Sequence, residues 1–428
     1  MTMVRGLALH AFMASHCGKS LLWVAGDAFA LYIMVVLLKL PPVTAGTLFL
    51  AGSLWNAALD AAWGAALARF GRLRRWTPQI GGGAVLIACL SFAALPLAAS
   101  GSLASAAILL ILFRTAFALF DVPHNALSAI LAARHGHLRF MRLRTVGSSA
   151  AGIVVAAAAI PLLAAKGTVV PVAAMMTIGA AALLLLVPLP WLLAIPLQAP
   201  ADPSPAVTSP QERGRLMPVL TFCLVHMAGI GALAAVGKAA LHLDAAHAWI
   251  VTTVPLLLAV TRLGSIPLWS GLAQRLGITG GLVLAYGASA VAIAVLPAGL
   301  ASGMVGTALV FALLGTGLGG VVLLIWSAFS QLLERVCATM PGMAASRYGI
   351  FTASTKIGLG GSAYLAGHWL ARGVDEAGSS LSGLATLLAL TALLCAACEW
   401  WRAHACGGSS AILGEPLERT TAIYVGRP

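Results

Sequence analysis

Charged side chains are scarce. Asp, Glu, Lys and Arg together make up 9% of 428 residues, against about 25% in soluble domains. That shortage excludes an ordinary soluble protein, which needs more polar surface than this chain has. Acids are scarcer still, 12 against 25 Lys and Arg, for a net charge of +13. In a soluble protein that excess would point to nucleic acid. Here Arg clusters read as cytoplasmic loop markers, and no nucleic-acid partner is expected. Paired Cys-x-x-Cys motifs of the zinc-binding kind are missing, and the lone Cys395/Cys398 pair lies inside an apolar run, where small helix-packing residues are expected. A disulfide framework is not expected. There is no Gly-x-x-x-x-Gly-Lys-Ser/Thr loop, so ATP does not drive this chain. No nucleophile–base pair or metal-ligand set stands in the loops, so an enzyme is not expected, and neither a metal nor a cofactor is implied. The first residues do not read as a cleavable signal peptide, and the tail shows no lipidation motif.

What is present is apolar. Hydrophobic residues reach 60% and the mean hydropathy is +0.98, which predicts an all-α integral membrane protein. Twelve long apolar segments follow one another, near 7–38, 46–68, 79–99, 103–133, 145–165, 169–197, 216–241, 247–273, 279–299, 303–333, 346–371 and 380–401. The first looks interrupted near Cys17–Ser20, and Pro41–Pro42 ends it. Between the sixth and seventh lies a Pro- and Ser-rich stretch without apolar periodicity, read as a flexible connection. The expected organisation is a first lobe over 1–197, a linker over 198–215, a second lobe over 216–402 and a loosely ordered tail over 403–428.

Arg69, Arg72, Arg74 and Arg75 follow segment two, Arg134, Arg139, Arg142 and Arg144 follow segment four, Arg213 and Arg215 precede segment seven, and Arg275 follows segment eight. The opposite breaks offer little beyond Lys39, Lys166 and Arg372. Both termini and the linker are therefore expected in the cytoplasm, with the chain in the inner membrane. A repeat supports two halves. Trp63-x5-Arg69-x-Gly71 is matched by Trp269-x5-Arg275-x-Gly277, and Ala126-Leu-Ser-Ala-Ile-Leu by Ala328-Phe-Ser-Gln-Leu-Leu. Two six-helix halves with a site between them are a recurring transporter plan.

The stretch Leu54–Trp76 carries Asn56 and Asp60 one helical turn apart, on one face, in a span that is otherwise apolar. A carboxylate in a bilayer needs a cavity, an ion or a partner charge. One acid with one amide is a poor cage for a hard cation, whereas a single acid taken out of water is a natural proton carrier. The alternative is a structural carboxylate paired with Lys19 or Lys356. Lys356 lies deep in segment eleven among small residues and needs an acid across the bundle, Asp60 being the natural partner. Asp121 stands before Pro123, seven residues after Arg114, and the two form a possible internal pair. Asp27, Lys238 and Arg262 are further embedded charges, available for relay or balance: Asp27 toward Lys19 or Lys238, Arg262 toward Asp121 or toward an anionic substrate. Most His residues fall in loops or near segment ends, and His124 is the one expected as a possible proton relay.

Six plus six helices, with Gly64…Arg69-Phe70-Gly71-Arg72 after helix two, resemble the major facilitator superfamily. Ala68 and Gln274 replace the acid usually found before the Arg. Within the superfamily the chain is similar to the glycoside–pentoside–hexuronide:cation symporters, the melibiose-carrier group. The resemblance rests on Ala45–Leu50 with Leu54–Asp60, on Phe120-Asp121-Val122-Pro123 with Ala126-Leu127, on Ser354-Thr355-Lys356 with Gly360–Ala363, and on Gly18-Lys19. It implies cation coupling through Asp60, Asn56 and Lys356, and substrate contact by Asp121, Arg144, Lys19, Ser20 and Asn125. Three departures stand out. Asn56 replaces the first carboxylate of helix two, Ser20 the sugar-binding acid of helix one, and Asn125 the sugar-stacking aromatic of helix four. They argue against a galactoside and against a two-acid sodium site.

The expected function is secondary transport by alternating access: proton- or sodium-coupled symport of a small polar solute, sugar-like, anionic or zwitterionic. An exporter or a lysolipid transporter of the same fold is the alternative transport reading, and a scaffold or receptor is the alternative without transport. A monomer in contact with membrane lipids is expected.

Overall fold

Proline and glycine punctuate the chain where its helices begin and break. In a computed structural model, the described residues are 2–164, 169–195, 210–240, 248–337, 343–371 and 377–405. Among them there is no strand. The helices are α1 (Thr2–Tyr32), α2 (Pro42–Arg69), α3 (Gly71–Gly101), α4 (Leu103–His135), α5 (His137–Ala164), α6 (Val169–Leu186), α7 (Leu189–Ala194) and α8 (Pro210–Ala240). They continue with α9 (Ala248–Gly264), α10 (Ile266–Ala294), α11 (Leu296–Ala301), α12 (Gly303–Cys337), α13 (Ala344–Ala371) and α14 (Ala377–Ala405). A π-helical turn, Ile33–Leu37, extends α1. Pro42 opens α2 at a position where its missing N–H costs nothing. Gly136 and Gly277, with φ of 83° and 77°, supply the left-handed residues between α4 and α5 and within α10. The break at Gly277 divides α10 between two spans. Among the described residues the helices group into twelve spans in two lobes of six.

Several expected boundaries move. The first span runs unbroken through Cys17–Ser20, because glycine followed by lysine is tolerated in a helix whose sides are covered by protein. Arg72, Arg74 and Arg75 already belong to α3, and Arg139, Arg142 and Arg144 to α5, which puts Arg144 two turns inside the helix it was expected to begin. Residues 210–215 of the expected linker are helical at the start of α8. The rest of that linker, 198–209, and the tail beyond 405 lie outside the described residues, as do Lys166, Arg372 and Cys406.

The sequence repeat has a counterpart in space. The indole N–H of Trp63 donates to the Leu119 carbonyl at 3.0 Å, joining α2 to α4. That of Trp269 donates to the Thr316 carbonyl at 2.7 Å, joining α10 to α12. Each lobe thus fastens its second span to its fourth in the same way.

Nine of the described spans are long and apolar enough to cross a membrane by length and composition; those of α2, α9 and α13 are not among them. The reason lies in what α2 and α13 touch. They pack on each other across the lobes along most of their length, so much of their surface meets protein instead of lipid. Small residues allow the approach: a Cβ on Gly46 would come within 2.7 Å of the Ala363 carbonyl oxygen, and one on Gly64 within 2.7 Å of that of Ala345. This contact carries Asp60 and Lys356 into the interior.

Candidate transport site

Six polar side chains from five helices meet deep in the bundle. They are Lys19 on α1, Asp60 on α2, Asp121 and Asn125 on α4, Arg144 on α5 and Lys356 on α13. All are buried. Asp121 and Asn125 stand one turn apart on one face of α4. Asp121 Oδ1 lies 2.8 Å from Lys19 Nζ and accepts from Asn125 Nδ2 at 2.9 Å. Asn125 Oδ1 accepts from Lys19 Nζ at 2.6 Å and from Arg144 Nη2 at 3.0 Å. These neighbours fix the orientation of the Asn125 amide. A flipped side chain would turn its NH2 group against two cations.

Lys356 carries the network across the lobes. Its Nζ lies 2.6 Å from Asp60 Oδ2 and 3.4 Å from Asp121 Oδ2. Both members of this pair are buried. The ammonium also faces the rings of Trp23 and Phe117, 5.1 and 5.4 Å from their centroids. Lys19, Arg144 and Lys356 are three cations around two carboxylates, which leaves the tier one negative charge short. Buried cations without full compensation are costly, and the arrangement can accept an anionic group at little further expense.

The sequence named all six of these residues but missed Trp326. The Arg144 guanidinium lies over its ring, 3.3 Å from the centroid. The internal repeat held the signal. Trp326 stands two residues before Ala328, where the first lobe has His124 two residues before Ala126.

Other expected partners are not joined. Asp121 pairs with the two lysines and not with Arg114. Arg114 instead lies over the Phe49 ring, 5.1 Å from its centroid, and α4 had no means of showing that other helices would reach Asp121 first. Asn56 is buried, but its amide donates to the Arg114 carbonyl at 3.1 Å and its Oδ1 has no partner. Asp27, in contrast, meets one of its two expected partners, facing Lys238 at 3.8 Å. Arg262 donates to Ser148 on α5 at 3.2 Å and makes no pair with Asp121.

Two histidines depart from the expected placement near segment ends: His16 and His226 are both buried within helices. His124 stacks on Phe12 at 4.4 Å and on His16 at 5.9 Å. Ser20 Oγ lies 3.4 Å from His16 Nε2. His226 joins Tyr286 at 2.8 Å and Glu399 at 3.1 Å, and Glu399 also binds Arg402, so this group ties α8, α10 and α14 together within the second lobe. At the Arg-rich end, His137 on α5 contacts Ser330 Oγ and Glu334 Oε2 of α12, both at 2.7 Å. These contacts latch the two lobes there.

Residues 11–398 match the family described as MFS/sugar transport protein. The chain belongs to that family. As a member of the major facilitator superfamily it is a secondary transporter with many membrane passes, and not an enzyme. Its fold is similar to that of a bacterial homologue of the iron transporter ferroportin in an outward-facing state: the TM-score is 0.61 and the identity 17%, over 92% of this chain and 99% of that one. It is also similar to the nucleoside transporter NupG, with a TM-score of 0.59 and 14% identity over 92% of this chain and 98% of that one. At such identities the likeness is one of fold alone. Comparison with curated protein sequences finds no match.

Proposed function

We propose that this family member moves a small anionic or zwitterionic solute by alternating access, with a proton exchanged at Asp60. The observation that supports this best is the shared ammonium of Lys356, in contact with Asp60 and Asp121 of the opposite lobe. When Asp60 takes up a proton, Lys356 loses one of its two counter-charges and is free to hold Asp121 or the solute more closely. Loading and lobe movement are then coupled through one side chain. In this reading Asp60, Lys356 and Asn56 form the coupling group. Lys19, Asp121, Asn125, Arg144 and Ser20 face the solute, joined by Trp326.

A proton suits the site better than sodium. Asn56 Oδ1 lacks a partner and can contribute one oxygen, but Asp60 is occupied by an ammonium at 2.6 Å, and a sodium cage needs several oxygens. The quotas of charge favour an anionic solute over a neutral sugar, because one carboxylate would complete the three-cation tier. A scaffold would also pair its embedded charges, but has no reason to leave that tier unbalanced. The chain is further proposed to act as a monomer of the inner membrane, with both termini in the cytoplasm, needing no cofactor beyond the coupling ion. Its kinship with the melibiose-carrier group is proposed on the same residues.

Counterflow in proteoliposomes, with a panel of organic anions, zwitterions, sugars and lysolipids, tests the assignment. Exchange of an anion or zwitterion is expected. Exchange of neutral sugars or lysolipids alone would overturn it.

A further inference from the structure

Above the central tier, in the half of the bundle remote from the Arg-rich ends, lies a second group of charges. Asp27 on α1 stands eight residues beyond Lys19, and Arg114 on α4 seven residues before Asp121. At about 1.5 Å per residue this is a separation of roughly 10–12 Å. Lys238 of α8 completes the group. Its Nζ donates to the Leu359 carbonyl of α13 at 2.8 Å and faces Asp27 Oδ2 at 3.8 Å. The ring of Phe49 on α2 meets both cations, its centroid 4.4 Å from Lys238 Nζ and 5.1 Å from Arg114 Cζ.

The group is built like the central tier, with one more cation than acid. Asp27 is the one acid among them, and within ion-pair distance it meets Lys238 alone. Arg114 is 3% exposed, and its Nε has no hydrogen-bond partner. A ring face offsets only part of the charge of a buried guanidinium. The floor is therefore sealed and under-compensated, while the rim remains reachable: the side chains of Lys238 and Asp27 are 12% and 18% exposed. The guanidinium packs closely on Gly52, where a Cβ would come within 3.3 Å of Arg114 Nε.

We infer that Asp27, Arg114, Lys238 and Phe49 form a second binding site, for a small organic anion in transit between the outer face and the central tier. This rests on the reading of the solute as anionic. The carboxylate of the solute binds the Arg114 fork and takes the place of Asp27 beside Lys238. The Asp27–Lys238 contact joins α1 of one lobe to α8 of the other, so the arriving anion also releases a tie between the lobes. From there the next cations along the path are Lys356 and Lys19.

The test uses two thiol reagents of similar size and opposite charge on the full-length protein in proteoliposomes. Asp27→Cys is labelled with 2-sulfonatoethyl methanethiosulfonate and with its trimethylammonioethyl analogue, after subtracting the rate of the parent protein and its native cysteines. The sulfonate should react faster by about tenfold or more, the range by which a charged cleft concentrates counter-ions. Adding Arg114→Gln should collapse that preference, while Arg114→Lys should keep it, and Lys238→Gln reports on the other cation if the Gln variant at 114 fails to fold. Equal rates, a cationic preference, indifference to the loss of both cations, or no labelling by either reagent would each overturn the site. The labelling needs no transport, so its failure leaves the central tier untouched. Conversely, counterflow of neutral solutes alone would remove the anionic reading without changing the labelling ratio.

Discussion

Lys356 and Asp60 touch across the two lobes, with Nζ 2.6 Å from Oδ2. The contact joins α13 to α2 at a place where both helices give up lipid exposure, and it leaves Asp121 as the second neighbour of the same ammonium, at 3.4 Å.

Removing the acid tests coupling apart from binding. Asp60→Asn keeps the shape and deletes the titrating group. Counterflow should persist, while accumulation driven by a proton gradient should be lost. Accumulation that survives with an unaltered dependence on pH would show that the coupling proton binds elsewhere.

Removing the cation tests the pair as a structural unit. Lys356→Met leaves buried Asp60 and Asp121 without their shared counter-charge, a loss of about 3–5 kcal/mol for a broken buried pair. Adding Asp60→Asn should restore much of it, because the stranded charge is then gone. Thermal unfolding of the purified single and double variants measures this; additive losses would mean the contact carries no coupling energy.

Trp326 gives a prediction that composition did not. Trp326→Ala removes the face on which Arg144 rests at 3.3 Å. Apparent affinity for the solute should fall by about tenfold, between the exposed and the desolvated range for a cation–ring contact, and Trp326→Phe should recover part of it. Unchanged affinity in the Ala variant would take Trp326 out of the site.

The α2–α13 contact should be intolerant of bulk where backbones approach. Gly64→Val should disrupt assembly, since a Cβ would already lie 2.7 Å from the Ala345 oxygen. Gly83→Ala, where nothing lies within 4 Å of the new methyl, should be neutral. The yield of monodisperse protein in detergent separates the two.

The latch at the Arg-rich end should bias the lobes. His137→Phe removes both the Ser330 and the Glu334 contacts. A cysteine placed at Ser327, on the same span, should then react faster with a cysteine reagent applied from that end. No change in rate would mean that other contacts keep the lobes closed there.

Much of the plan was legible along the chain. Twelve apolar segments, the basic breaks and the Trp–Arg–Gly repeat follow from composition and spacing, which a bilayer translates directly into spans. The embedded charges were legible too, since each stands out against an apolar background. Helix ends were less so: Arg144 and the start of α8 were misplaced because polar residues continue a helix beyond the bilayer without any apolar signal.

Partners were the part that one dimension withholds. Spacing on α4 made Arg114 the nearest candidate for Asp121, but lysines from α1 and α13 reach it instead. The same holds for Asn56, which turns to the Arg114 backbone. The amino-acid sequence determined that ionised groups would stand inside a twelve-span bundle, because oil-like segments that retain Asp and Lys are rare and their order is fixed. Which of those groups meet was decided by the tertiary structure alone, because small residues on α2 and α13 bring two backbones from distant parts of the chain together, and the strength of a charge pair depends on that distance.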